Sequence, residues 1–198
     1  MPSLPPVTQA LLLINVGMFC LQQYILGFVV DRFLALWPIG AGFLPWQIVT
    51  YGFLHSGFNH LLFNMLGLWM FGAELERLWG AKRFLQFYMA SVVAAAGFQL
   101  IVCALMGANF PTVGASGGLF GLLLGFAMMF PNRTIVPLIP PIPMKAKTFV
   151  AIYGGLELLF GVTGTMAGVA HFAHLGGIFG GWLMIRYWRG QPPFGRRR

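Results

Sequence analysis

The sequence predicts an all-α, polytopic membrane protein, a single bundle of six transmembrane helices. Three observations carry that expectation. Of 198 residues, 58% are hydrophobic and only 8% are charged, with a mean hydropathy of +0.79. Soluble domains carry about 25% charged residues, so this chain has no ordinary wetted surface to present. The apolar residues also gather into about six runs, and a helix needs about 20 mostly apolar residues, with a range of about 17–25, to cross a bilayer. Finally, the basic residues fall between those runs.

The runs cover residues 7–30, 57–78, 84–106, 115–130, 149–165 and 169–188. The first has no basic residue before it and is too long for a signal-peptide core, so it reads as a retained helix. The connection 31–56 holds Trp37-Pro38, Leu44-Pro45-Trp46 and many aromatics but almost no charge. Such a segment settles in the outer membrane interface. Glu76, Arg77 and Gly80 mark a cytoplasmic turn after the second run. The fourth and fifth runs are short for spans, which leaves their ends open. Between them, residues 131–143 are rich in proline and cannot be helical throughout; they read as a cytoplasmic loop on the membrane surface. No internal repeat, low-complexity stretch or soluble domain interrupts the series, so residues 1–198 read as one domain. Cys20 and Cys103 lie inside apolar runs and read as small buried hydrophobes, not as a disulfide or metal site.

The formal charge is +8, from 12 Lys and Arg against 4 Asp and Glu. A nucleic-acid binder would carry its bases as a stripe on a soluble face. Here Arg77 lies at the end of the second run with Lys82 and Arg83 after it, Arg133, Lys145 and Lys147 follow the fourth, and Arg186, Arg189, Arg196, Arg197 and Arg198 close the sixth. The opposite side holds only Arg32. The positive-inside rule then makes both termini cytoplasmic and excludes a nucleic-acid partner. In that orientation the second, fourth and sixth helices begin at the outer face. His60 lies about one turn into the second, Ser116 tops the fourth, and His174 lies about 8 Å into the sixth at ~1.5 Å per residue. The three share one level in the outer third of the bilayer, although Lys and Arg alone set the orientation. Polar side chains at that depth are costly unless they face the bundle interior or a water-filled cavity.

The organising stretch is Gly114-Ala115-Ser116-Gly117-Gly118-Leu119-Phe120-Gly121. Gly117 and Gly121 form one small-residue face, and Gly177 and Gly181 form another below His174; such faces allow helices four and six to cross closely. That crossing brings Ser116 within hydrogen-bond reach of His174. A serine hydroxyl needs a base to become a nucleophile, and histidine is the natural base near neutral pH. Ser116 is therefore the candidate nucleophile and His174 the candidate base. His60 and Asn64, four apart, share a helix face and can offer an imidazole and an amide N–H to a developing oxyanion. The backbone N–H of Ser116, at a helix N-terminus, can add a third donor. No carboxylate stands out as a third member among Asp31, Glu74, Glu76 and Glu157, so a Ser–His dyad is the simplest arrangement. Glu157, midway along the fifth helix, is a functional candidate by default but reads as a protonated or hydrogen-bonded packing residue. His171, one turn above His174, is placed only at a water entrance.

Plainer interpretations exist for each residue. Ser116 alone is an ordinary small residue of a helix contact, and His60 with Asn64 an interhelical hydrogen-bond pair. His171 and His174 could take a metal with His55 or His60, but no cysteine or carboxylate joins them at a metal-like spacing and H-E-x-x-H is absent. Neither a metal nor a cofactor is expected. A transporter would bring inverted repeats or paired broken helices, and neither is present in the sequence.

Gly114-x-Ser116-Gly117 with Gly121, His60-x3-Asn64, and Ala173-His174 with Gly177 and Gly181 resemble the rhomboid intramembrane serine proteases. The motifs stand in that family's order, and the resemblance covers roughly residues 46–188. It implies a bacterial-type rhomboid-like core of six helices, a Ser116–His174 dyad, and oxyanion donors from His60, Asn64 and Ser116. It also implies an aromatic ring on the catalytic imidazole; Phe120 keeps that ring without a hydroxyl. Gly114, Gly117, Phe120, Gly121 and Gly177 are then supporting residues. Rhomboids carry an interfacial loop after the first helix, and often Trp-Arg where this chain has Trp46-Gln47. The implied activity is endopeptidase cleavage of transmembrane segments of other proteins near their outer end, within the lipid bilayer of a bacterial inner membrane. Substrate would come in past the outer loop 163–170 and the fifth helix. The rival function is a catalytically inactive relative that binds membrane proteins, but such relatives usually lack the serine or the histidine, and both are present here.

Overall fold

The computed structural model describes residues 3–138, 140–165 and 170–195. Nine α-helices are found among them: α1 Pro6–Tyr24, α2 Gly27–Leu34, α3 Gln47–Thr50, α4 Phe58–Gly67, α5 Ala73–Trp79, α6 Ala81–Met106, α7 Ser116–Met129, α8 Ala146–Thr163 and α9 His171–Trp188. A π-helical turn, Leu68–Gly72, joins α4 to α5, so the run expected over 57–78 is one rod with a bulge. Of the described helices, α6 and α8 are long and apolar enough to cross a membrane by length and composition. Among its described residues the proline-rich connection contains no helix, in keeping with a composition that bars a continuous one. It carries a small hairpin not expected from the sequence, β1 Thr134–Ile135 antiparallel to β2 Met144–Lys145, with Thr134 opposite Lys145 and Ile135 opposite Met144. Of the loop 163–170, expected to admit substrate, residues 166–169 lie outside the described residues, as do Arg196, Arg197 and Arg198.

Helix α6 is the central post, and α7 and α9 pack on it and on each other. Glycine makes this approach feasible. A methyl on Gly177 would overlap the backbone carbonyl of Gly117, and one on Gly181 would come within 3.3 Å of Gly121 Cα. The paired small faces expected on helices four and six therefore do meet. A second glycine face, absent from the sequence expectation, turns α9 onto α6: a methyl on Gly176 would lie 2.8 Å from the carbonyl oxygen of Ala94, and one on Gly180 2.8 Å from that of Ala90. With no room for side chains, backbones touch, and the packing rests on van der Waals contact.

Buried polar anchors set the ends of α1. Its first N–H groups have no partner within the helix. Glu76, only 3% exposed, accepts from Val7 N–H at 2.9 Å, Thr8 N–H at 2.7 Å and the Thr8 hydroxyl at 2.8 Å. The Glu76–Gly80 turn is thus structural, with Gly80 at φ +77°. The first helix does not run to residue 30: it stops at Tyr24, Ile25 leaves the helical conformation, and α2 begins at Gly27. The cause is polar. Gln22 donates to Asp31 Oδ1 at 2.7 Å and accepts from the His55 backbone N–H at 3.0 Å, a closure no straight helix could make. Cys20 is a correction: Cys103 is buried, but Cys20 is exposed on the outside of α1.

The connection between α2 and α4 is tightly tied despite its lack of charge. Gln47 is fully buried and accepts from the backbone N–H groups of Trp37 at 3.2 Å and Leu44 at 3.1 Å, so a neutral amide anchors the loop at this position. The indole of Trp46 donates to the carbonyl of Phe33. Leu36 and Thr112 exchange both backbone hydrogen bonds, at 3.0 and 2.9 Å, and Gly114 N–H donates to the Tyr51 carbonyl. The loop thereby fixes the strand-like approach to Ser116. Among the described residues, basic side chains other than Arg32 gather away from this connection: Arg77 donates to the Ser3 carbonyl, Arg133 pairs with Glu74, and the Arg83 guanidinium lies 5.8 Å from the Trp188 ring.

Candidate active site

Ser116 is the first residue of α7, and His174 lies one turn into α9. The glycine-mediated crossing of these helices brings His174 Nε2 to 2.8 Å from Ser116 Oγ. Phe120, one turn after Ser116, stacks on the imidazole with ring centroids 4.4 Å apart and planes 13° from parallel. The ring expected on the imidazole from the family resemblance is there. It holds the plane of the His174 ring, whose Nε2 faces the hydroxyl.

His60 approaches the same point from α4. Gly114 sits at φ +138°, and a methyl there would lie 2.9 Å from His60 Nε2 and 3.4 Å from Ser116 Oγ. The missing side chain is what lets the His60 ring reach the serine, and the backbone conformation itself favours glycine. His60 Nδ1 lies 3.0 Å from the Ser56 hydroxyl and accepts a long bond of 3.4 Å from the Ser56 backbone N–H. An accepting Nδ1 places the proton of the neutral ring on Nε2, the nitrogen nearest Gly114. Asn64 is buried; one N–H of its amide donates to the His60 carbonyl at 2.9 Å, and a second N–H remains on the same nitrogen. His55, fully buried beside this group, meets the His60 ring edge-on at 5.1 Å, and burial pushes its imidazole down to about 3. It is therefore neutral throughout the physiological range.

Two cavities meet at Ser116. One of about 360 Å³ is lined by Tyr51, Ser56, His60, Gly114 and His174 as well as Ser116. A lateral one of about 420 Å³ opens between α4, α7 and α8 and is lined by Phe63, Asn64, Met70, Phe120 and Tyr153 with the same serine. The first sets Ser56, His60 and His174 among mainly apolar walls and the second is almost wholly apolar, so Ser116 stands between a space with hydrogen-bonding groups and a space for a hydrophobic chain.

Glu157 was placed as a packing residue on sequence grounds, and its surroundings in the fold are more specific. Its Oε2 lies 2.7 Å from His171 Nδ1 and 2.8 Å from His174 Nδ1. The contact to His171 is a well-formed hydrogen bond. The one to His174 is close but poorly aligned, leaving that Nδ1 without a good hydrogen-bond partner. His171 thus binds Glu157 and does not merely border a water path. The sequence signal for Glu157 was its position: a lone carboxylate in an apolar helix.

A family model for the rhomboid domain matches residues 43–190. The chain is 35% identical over 156 residues to the mitochondrial rhomboid protein 1 of Saccharomyces cerevisiae, covering 71% of this chain and 42% of that protein. It is 30% identical over 140 residues to the rhomboid protease GluP of Bacillus subtilis, covering 70% of this chain and 25% of that one. It is 27% identical over 194 residues to the rhomboid protease GlpG of Photorhabdus laumondii, covering 96% of this chain and 63% of that one. In each case the chain spans less than two thirds of the relative's length.

Proposed function

This chain belongs to the rhomboid family, and on that premise we propose that it is a serine endopeptidase that cuts transmembrane segments of other membrane proteins. In this reading residues 1–198 form one rhomboid-like domain whose six long helical segments, α1, the α4–α5 rod, α6, α7, α8 and α9, all cross the bilayer. Both termini are cytoplasmic and the site lies toward the outer face of a bacterial cell membrane. The basic end of the bundle and the opposite position of Ser116 support that orientation. The observation that carries the function is the 2.8 Å Ser116–His174 contact, where a cavity holding the Ser56 and His60 side chains meets an almost wholly apolar one.

The chemistry follows from the geometry. An unwound stretch of substrate lies in the apolar cavity with its scissile carbonyl at Ser116. His174 Nε2 takes the hydroxyl proton as Oγ bonds the carbonyl carbon. The oxyanion that forms is met by the Ser116 backbone N–H, His60 Nε2–H and the free N–H of Asn64. The C–N bond then breaks, and the proton on Nε2 passes to the leaving amine. Water from the cavity lined by Tyr51 and Ser56 repeats the sequence on the acyl-enzyme: it loses a proton to Nε2, adds to the ester carbonyl, and releases the new carboxylic acid, which then ionises in water, as Oγ regains the proton from Nε2. No metal or cofactor takes part. Substrate gains access beside α8, whose apolar surface is little buried in the fold. The test is cleavage of a single-span protein in liposomes. The parent cuts it and Ser116→Ala does not; equal cleavage by both proteins ends the proposal.

A further inference from the structure

We propose that Glu157 is a positioning residue of the catalytic group, making the site a Ser116–His174–Glu157 relay in place of a two-residue one. The inference rests on the peptidase function proposed above.

For Nε2 of a neutral His174 to receive the Ser116 proton, the ring's own proton must sit on Nδ1. His174 is 8% exposed, and a buried N–H requires an acceptor. Glu157 Oε2, at 2.8 Å, is the acceptor within reach among the described residues. The alignment is imperfect in the resting site; a small swing of the ring toward the carboxylate corrects it, and catalytic hydrogen bonds often tighten only in the reacting complex. The other acids have different employment: Asp31 receives Gln22, Glu74 pairs with Arg133, and Glu76 holds the start of α1. Glu157 faces two imidazoles. The bond to His171 Nδ1 at 2.7 Å fixes the carboxylate rotamer, so Oε2 is already beside His174 before any proton moves. When His174 becomes an imidazolium, the carboxylate stabilises that charge across a short gap in a water-poor site. Throughout, Glu157 stays ionised; the moving proton travels between Oγ, Nε2 and the leaving amine.

The same three residues also form a cluster whose ligand atoms lie within 4.8 Å of one another. Two donors at 2.7 and 2.8 Å from a single carboxylate oxygen fit shared protons. Ligands around a tetrahedral zinc, with bonds of ~2.0–2.1 Å, stand ~3.3 Å apart.

The experiment uses the full chain in liposomes with a fluorogenic single-span substrate, comparing parent, Glu157→Gln, Glu157→Asp and Ser116→Ala. Glu157→Gln is expected to lower kcat by about 10-fold or more with KM within about two-fold, the pattern of a residue that acts in the transition state, and Glu157→Asp to recover part of the loss. Nitrogen-15 spectra of labelled histidine supply a readout that packing alone does not move. His174 is protonated on Nδ1 in the parent, and that preference is lost in Glu157→Gln. If Glu157→Gln does not fold, the tautomer in the parent and in Glu157→Asp decides. Unchanged kcat in a folded Glu157→Gln protein, a parent His174 protonated on Nε2, or activity abolished by a chelator and restored by zinc each overturns the proposal. A Ser116-dependent activity indifferent to Glu157→Gln sinks only the relay. A Ser116→Ala protein as active as the parent sinks the peptidase itself.

Discussion

A single methyl group on Gly177 tests how closely chemistry depends on helix spacing. In Gly177→Ala the new carbon would overlap the carbonyl oxygen of Gly117, where non-bonded heavy atoms settle near ~3.5 Å. Backbone carbonyls cannot rotate away, so α7 and α9 must part by about 1 Å or more. Ser116 leads α7 one residue before that contact and His174 lies three residues before Gly177. A shift of this size stretches the 2.8 Å Ser116–His174 contact beyond the reach of about 3.2 Å that proton transfer needs. Overpacking costs about 1–3 kcal/mol in stability, and a displacement of about 1 Å costs roughly 10²-fold in rate. Gly155→Ala is the control, because a methyl there meets open space. The assay is single-span substrate cleavage at matched protein, with fluorophosphonate labelling of Ser116 as a second readout. Cleavage by Gly177→Ala within about two-fold of the parent would refute the link between glycine packing and the active geometry.

Glu76→Ala leaves two backbone N–H groups and a hydroxyl of α1 without their acceptor, and is expected to destabilise the fold by about 2–4 kcal/mol; detergent unfolding monitored by circular dichroism measures this. Phe120→Ala removes the ring stacked on His174, worth about 0.5–1.5 kcal/mol, and should slow cleavage by about 3- to 10-fold without preventing folding. His55 gives a pH dependence. Its folded-state value of about 3 lies below the ~6.5 of the unfolded chain, so between the two the unfolded chain binds more protons. Its neutral, buried form contributes fully above about pH 6.5, and stability falls as pH drops toward 3, by up to about 1.4 kcal/mol per pH unit. His55→Leu should flatten that slope in thermal melts taken across pH 4–7.

Much of the helical layout was legible in hydropathy alone because lipid-sized apolar runs leave few alternatives. The second, third and fourth runs meet α4–α5, α6 and α7 within about three residues, a scatter usual at helix ends; α6 begins earlier than expected, at Ala81, because Lys82 and Arg83 occupy its first turn and reach out to the basic end. The break after Tyr24 was not legible, since Gln22, Asp31 and His55 act on it from three separate segments. Nor was the exposure of Cys20: an apolar run does not say which face looks at lipid. Within the candidate site, Ser116, His174, His60, Asn64 and Phe120 stood out through spacing and small-residue context, and they converge in the fold. Glu157 did not, because it reaches His174 from α8 across 17 residues of sequence, and helical periodicity within one segment says nothing about which neighbour a side chain will meet. The second glycine face of α9, Gly176 and Gly180, went unread for the same reason: the partner backbone belongs to α6.

The central claim is that His174 makes Ser116 a nucleophile inside a membrane-embedded protein. Mass spectrometry of the intact protein in liposomes after treatment with a fluorophosphonate measures this most directly. The account predicts one adduct per chain, mapped to Ser116, and its near disappearance in His174→Ala. An adduct on another residue, or undiminished labelling of Ser116 without the imidazole, would contradict it.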